Sequence, residues 1–224
     1  MIYRLVYDQE TVVSLFVVVQ GHSGVLGFAM LASASVQETH DLAIVAHIAA
    51  LEGSIPVLHF FDGWRTSNET AMINVTPYEA LAPLVPRDKV EAFRRRGLNP
   101  EHPVLRGSAQ NWDVYFQNRE AANKYYDAFP AIVQQTMDKV ATVTGRQYHL
   151  FDYYGAPDAE AVIVAIGSST EVIEMTVDHL NRTGKKYGVV KVRLYRPPHP
   201  RRLLTRPHPQ ITTGVAPAAI RGEG

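Results

Sequence analysis

Cysteine is absent from all 224 residues. Disulfides, thiolate nucleophiles, zinc–thiolate sites and iron–sulfur clusters on this chain's own ligands are thereby excluded. Charge of one sign is also lacking in excess, because Lys and Arg total 22 and so do Asp and Glu. A net charge of zero supplies no overall basic field for nucleic acid and leaves only local patches to consider. No apolar run approaches the length of about 20 residues needed to cross a bilayer. The stretch Val12 to Val19 is apolar, but Asp8 and Glu10 stand where a secretory leader carries basic residues, and no small-residue cleavage site follows. These absences predict a cytoplasmic protein with no membrane and no nucleic-acid partner. What is present is ordinary for a globular chain, 46% hydrophobic and 20% charged, with room for one or two domains.

Periodicity predicts α/β organisation. Residues 12–20 are β-branched and apolar and read as a buried strand, followed by the turn Gly21-His22-Ser23-Gly24. Ser35-Val36-Gln37-Glu38 fits a capping box, opening a helix to about Leu51 that Gly53 is placed to end. Its apolar residues go nearly all the way round, which predicts burial on most sides. Ile55 to Phe61 reads as a central strand, with Pro56 at its start where a missing N–H is tolerated. Residues 62–118 are irregular, with short helices expected at 76–84 and 87–96. A long helix is expected over 119–144, with Ala122, Tyr125, Phe129, Ile132, Val133, Met137 and Val140 on one side and a kink or break at Pro130. Strand Ala161 to Ile166, a helix closed by Gly184, and strand Tyr187 to Tyr195 form a βαβ unit, which implies a parallel pair with a right-handed crossover. From Pro198 onward five prolines, four arginines and no aromatic residue give no countable period. That tail is expected to be disordered.

Few motifs carry chemistry. Ser23 at a strand-to-helix turn has the setting of a hydrolase nucleophile elbow, but Gly-x-Ser-x-Gly is not met, since Val25 occupies the last position. The glycines at 21, 24 and 27 do not have dinucleotide spacing either. Gly167 after a strand suits an anion at a helix N-terminus, or simply a tight turn. His40 and His47 lie two helical turns apart, about 10 Å, too far for one metal ion. Arg94-Arg95-Arg96 at a helix end suits the helix dipole and a solvated face. The best candidate is the loop Asp62-Gly63-Trp64-Arg65-Thr66-Ser67-Asn68-Glu69 at the carboxyl end of a strand, where open α/β sheets meet ligands and partners. Asp62, Arg65, Thr66 and Ser67 are its candidate cofactor-binding or interface residues. The plainer reading is an Arg65 ion pair with Asp62 or Glu69, plus Thr66 as a helix cap.

Several blocks resemble one family. They are Gly27-Phe28-Ala29-Met30-Leu31-Ala32-Ser33, Ser35-Val36-Gln37-Glu38 with Asp41-Leu42-Ala43, and Phe60-Phe61-Asp62-Gly63-Trp64-Arg65-Thr66-Ser67. Arg96-Gly97-Leu98-Asn99-Pro100, Leu105 to Asn111, Tyr148-His149-Leu150-Phe151, Tyr153 to Glu160 and Val192 to Pro197 follow in order. Together they resemble the pyruvate:ferredoxin (flavodoxin) oxidoreductases. The likeness runs from about Gly27 to Pro197.

The resemblance implies oxidative decarboxylation of pyruvate with coenzyme A. Thiamine diphosphate held with Mg forms the carbanion, and [4Fe–4S] clusters pass electrons to ferredoxin or flavodoxin in a homodimeric enzyme. It implies that 1–154 is the end of a pyrimidine-side thiamine domain, a partial parallel sheet with flanking helices. Residues 155–197 are then the first βαβ of a transketolase-C-terminal-like domain, and 198–224 a Pro/Arg-rich tail. The family's substrate Thr and Arg and its activating Glu lie upstream of these blocks, and its magnesium, coenzyme A and cluster sites lie downstream. The chain alone is therefore expected to hold none of these cofactors, to have no catalytic or metal residues, and to be inactive. Val25-Leu26 replaces an Arg-Gln-Thr approach to Gly27, Asn68 stands where the family often has His, and the likeness stops at Pro197. These departures predict a fragment with ends altered by a frameshift or misassembly. Exposed edges should make it prone to aggregate. A serine hydrolase using Ser23 and a non-catalytic interaction module are the competing readings.

Overall fold

The structure, a computed structural model, describes residues 27–97, 99–101, 103 and 110–197. The expected strand at 12–20, the Gly21–Gly24 turn with Ser23, and the tail at 198–224 lie outside them. The class is α/β, as expected, but both sheets are mixed.

The first sheet is built on β1 (Ala29–Ala32), with β2 (Val57–Phe60) parallel on one side and β6 (Leu194–Arg196) antiparallel on the other. β2 is thus an edge among the described strands, where the sequence predicted a central one. β1 is buried at every residue. Ala29 and Leu31 face one core, while Met30 and Ala32 face a second core with Phe60. A strand buried on both faces needs an unbroken apolar run, and Ala-Met-Leu-Ala supplies it.

The second sheet runs β3-β5-β4, from β3 (Phe151–Gly155), β4 (Ala161–Ile166) and β5 (Tyr187–Val192). β4 and β5 pair in parallel, as the βαβ reading predicts, and β3 joins β5 antiparallel. By hydrogen bonding, then, 151–154 belongs with the second sheet. The expected strand through Tyr195 breaks at Arg193. Its alternation fails there because Arg193 is 5% exposed and the chain crosses to the first sheet as β6. Ile166 of β4 and Tyr195 of β6 both pack on the second core, which ties the sheets together.

Helix α1 (Val36–Gly53) begins at the predicted Ser35 cap, with Glu38 reaching back one residue past it. Ser35 Oγ accepts from the Glu38 N–H at 3.2 Å, and Glu38 Oε2 accepts from the Ala34 N–H at 2.9 Å. Gly53 does not terminate it from outside. It is the last helical residue, and a Cβ there would lie 2.5 Å from the Phe129 ring. Ser54 takes the left-handed cap instead, at φ 54°. Short α2 (Arg65–Asn68) and α3 (Tyr78–Leu81), a 3₁₀ turn (Ala82–Leu84) and α4 (Arg87–Arg95) follow, the last three close to the predicted spans.

Helix α5 (Trp112–Thr144) starts earlier than predicted and runs as one 33-residue helix through Pro130, so the expected split is not seen. Its second half carries Phe129, Val133, Met137 and Val140 into the first core, against Leu42, Val45 and Ile48 of α1. Tyr125, placed by periodicity on the buried side, is 46% exposed, as are Trp112 (90%) and Phe116 (67%) on the first half. Helix α6 (Ser169–Arg182) crosses between β4 and β5.

Candidate functional site

The loop after β2 folds on Asp62. Its Oδ1 accepts the Arg65 and Thr66 N–H groups at 2.6 and 3.0 Å, and its Oδ2 accepts the Thr66 hydroxyl at 2.7 Å. Asp62 therefore starts α2, and the Thr66 cap of the plainer reading is not formed. Burial works to raise the Asp62 carboxyl, but hydrogen bonds from Ser168, Thr66 and the two N–H groups hold it below the ordinary carboxylate value. Thr66 is buried. Ser67 Oγ turns back to the Gly63 carbonyl at 2.5 Å and stays exposed.

Arg65 leaves the loop. Its Nη2 donates to Glu171 Oε2 at 2.5 Å and its Nη1 to the Ser168 carbonyl at 3.3 Å, both at the start of α6. Glu69 is a looser partner at 3.8 Å. The four candidates are thus brought to one place, the junction of the β2 loop with the second sheet's helix. Their polar atoms are spent on the loop itself and on α6.

Sequence reading did not single out two further polar clusters. In one, Asp41 of α1 is fully buried and accepts Arg146 Nε and Nη2 at 2.6 and 2.8 Å, the Tyr148 hydroxyl at 2.7 Å and Gln37 Nε2 at 3.2 Å. Burial opposes the charge, but Arg146 and Tyr148 win and hold the Asp41 carboxyl low. Burial and the Asp41 bond push the Tyr148 phenol up.

In the other cluster, Arg193 at the β5–β6 break donates Nη2 to Glu38 Oε1 at 2.8 Å and Nη1 to Asp152 and to the His149 carbonyl. Its guanidinium lies 5.2 Å from the Tyr148 ring centre. Arg193 Nε is buried with no hydrogen-bond partner among the described residues. Burial favours a neutral Asp152, but Arg193 beside it holds that carboxyl below the usual range. The only sequence signal for this cluster was the position of Arg193 on the polar side of an alternating strand, which reads as solvent-facing.

At the carboxyl ends of β1 and β2, Ser33 Oγ and His59 Nε2 are 2.7 Å apart. Burial, then the charge of His47, pushes the His59 imidazole down to about 4. Ser33 is fully buried, so this pair has the spacing of a nucleophile and base but no access for a substrate.

The described residues do not fit thiamine diphosphate with Mg. Among them, no group of three or more His, Asp or Glu side chains could hold a metal ion. The one guanidinium in the candidate loop is occupied by Glu171. A diphosphate–metal pair needs both a cation and a free carboxylate set. No helix among the described residues is long and apolar enough to cross a membrane.

Comparison with known proteins places the chain. Residues 11–138 match the family model described as pyruvate flavodoxin/ferredoxin oxidoreductase, thiamine diP-binding. Residues 159–212 match the model of pyruvate:ferredoxin oxidoreductase core domain II. Both matches extend past the limits, Gly27 and Pro197, that sequence reading set for the likeness. A pyruvate:ferredoxin oxidoreductase of Moorella thermoacetica is 63% identical over 171 residues, 76% of this chain and 15% of that protein. A pyruvate-flavodoxin oxidoreductase of Enterobacter agglomerans is 57% identical over 171 residues, again 76% and 15%. Among solved structures, a 2-oxoglutarate:ferredoxin oxidoreductase from Magnetococcus marinus aligns at a TM-score of 0.42 and 15% identity, covering 76% of this chain and 31% of its own. The chain thus spans 15% of the length of the first two relatives.

Proposed function

The chain belongs to the pyruvate flavodoxin/ferredoxin oxidoreductase family, and from that premise we propose that it is a segment of a cytoplasmic enzyme oxidising pyruvate to acetyl-coenzyme A. The observation that carries this reading is the ordered pair of family matches, 11–138 and then 159–212, on one chain. In this reading residues 1–154 contribute to the thiamine-binding unit and 155–197 begin core domain II. The rest of a homodimeric polypeptide supplies Mg, coenzyme A and [4Fe–4S] sites, and ferredoxin or flavodoxin takes the electrons.

This chain's own residues act by positioning. Asp62 fixes the start of α2, which aims the Arg65 guanidinium at Glu171 and the Ser168 carbonyl. Asp62, Arg65, Thr66 and Ser67 form an interface between the two units rather than a chemical centre. Neither half of a cofactor site placed on one side of that interface holds a reacting geometry alone, so the isolated chain is inactive.

A segment exchange tests this. Residues 27–197 replace their counterpart in the Moorella enzyme, and pyruvate-dependent acceptor reduction is assayed without oxygen. Retained activity is expected from the exchange, and none from the 224-residue chain alone. Loss of activity in a chimera that still folds and binds thiamine diphosphate overturns the reading.

A further inference from the structure

Between α2 and α3 the residues 69–77 run as an extended strap whose side chains are mostly exposed, Met72 and Val75 among them. The strap is held on α1 at two points. At the first, Gln37 pairs with both backbone groups of Asn74: its Oε1 accepts the N–H at 2.7 Å and its Nε2 donates to the carbonyl at 3.2 Å. Arg146 Nη2 lies 3.5 Å from the same carbonyl. At the second, the Thr76 N–H donates to His40 Nε2 at 3.2 Å, and Thr76 is buried at 8% exposure.

The second point differs in kind from the first. A backbone N–H can only donate, so His40 Nε2 must accept and must be unprotonated, with the ring proton on Nδ1. Gln37 cannot change its role with pH. We propose that the strap is a proton-gated latch, closed on α1 by neutral His40 and released at Thr76 when the imidazole takes a second proton.

Protonation turns the acceptor into a donor that faces another donor, so the bond is lost outright. The new cation meets carboxylates that are already engaged: on α1 Glu52 pairs with Lys139 of α5 at 3.3 Å, and on α5, which packs along α1, Asp138 accepts from Gln134 and Gln147. Both Asp41 oxygens already accept from Arg146, Tyr148 and Gln37, and Glu38 is bound to Arg193 and the Ala34 N–H. Helix α4, which packs against α1, carries Arg87, Asp88, Lys89 and Glu91. Asp88 lies beside Lys89 at 4.0 Å, and Glu91 pairs with Arg95 at 3.5 Å. The strap's own acid, Glu69, lies 3.8 Å from Arg65. Release starts at Thr76 and leaves Asn74 attached through Gln37. The loop of the candidate site leads directly into this strap, so the latch links that loop's freedom to pH.

The test is residue-resolved amide exchange on the 224-residue chain between pH 8 and pH 5.5, corrected for intrinsic rates. Thr76 protection is expected to fall roughly five-fold, the loss of one hydrogen bond, while Asn74 changes less. The midpoint of the fall must coincide with the His40 imidazole titration followed by NMR in the same sample. His40→Gln, which cannot titrate, should flatten the Thr76 profile. Constant Thr76 protection, a midpoint away from that of His40, or an equal fall in His40→Gln overturns the proposal.

Discussion

β1 and β4 are both short apolar strands, Ala-Met-Leu-Ala and Ala-Val-Ile-Val-Ala-Ile, and they are buried very differently. β1 sits between β2 and β6 with α1 and α5 over one face, and its residues are at most 2% exposed. Among the described strands β4 lies at the edge of its sheet, with Ile163 and Val164 exposed at 43% and 40%. Composition alone makes β4 the better core strand, since β-branched residues favour a packed sheet. Burial is therefore set by what covers a strand. β1 is covered by its own chain. β4 has the sequence of a strand that a parallel sheet would bury on both faces, yet Ile163 and Val164, neighbours that point to opposite faces, are both exposed among the described residues.

The largest test of this contrast removes a cover. Phe129→Ala on α5 should cost about 3–5 kcal/mol, by emptying the core over β1, whereas Ile163→Ala on β4 should cost within about 1 kcal/mol. Denaturant midpoints of the two variants measure the difference. Equal losses would mean that β4 is covered in solution after all.

Next in size is the polar analogue. Asp41→Asn leaves Arg146 and Tyr148 facing a neutral group in a buried place and should cost about 3 kcal/mol. Glu171→Gln removes a partner from Arg65 where both side chains are more than a third exposed, and solvent screening should hold the cost within about 1 kcal/mol. Thermal unfolding at pH 7 separates them. A Glu171 effect as large as that of Asp41 would show that the junction between the sheets is drier than its exposure indicates.

Acid sharpens the comparison further. Asp41 and Asp152 titrate below their ordinary value in the folded chain. Their stabilisation is present above the unfolded carboxylate value, about 4, and is lost as pH falls through the lower folded value. His59 has its folded value depressed from 6.5 to about 4, so its loss begins earlier, as pH falls below 6.5, and is complete near 4. Melting temperature should therefore decline in two stages. His59→Gln should remove the first, and Asp152→Asn should shallow the second. A single stage unaffected by His59→Gln would show that burial of this imidazole does not persist in solution.

Much of this contrast was legible in the sequence, and the illegible part has a physical pattern. The capping box at Ser35 and Glu38, the βαβ unit and the short helices near 78–95 are local signals, and they read correctly because neighbours in sequence decide them. The position of β2 at an edge among the described strands, the continuity of α5 through Pro130 and the burial of Arg193 depend on distant residues. Pro130 lies where the helix is gripped by α1, and packing there outweighs its local preference to break the helix. At the candidate loop, residue types identified Asp62 and Arg65 as a place where charge is used. Their partners, Ser168 and Glu171, lie more than 100 residues away in sequence, so spacing within the loop could only suggest Glu69. The Asp41 and Arg193 clusters were missed for the same reason, since each joins α1 to residues of the 146–193 region.

The smallest step in this series returns to strand order. β6 leaves the second sheet at Arg193 and lies beside β1 in the first. The sheet nearest the amino terminus is therefore finished by the last described residues, with a whole βαβ unit inserted between. In terms of inheritance, the two units cannot be traded separately. A recombination point anywhere from 156 to 193 would give β1 a neighbour evolved against another partner, with Arg193 answering to a foreign Glu38. Swaps between relatives should succeed when both ends fall outside 29–196, and segment shuffling within the family should leave this span intact.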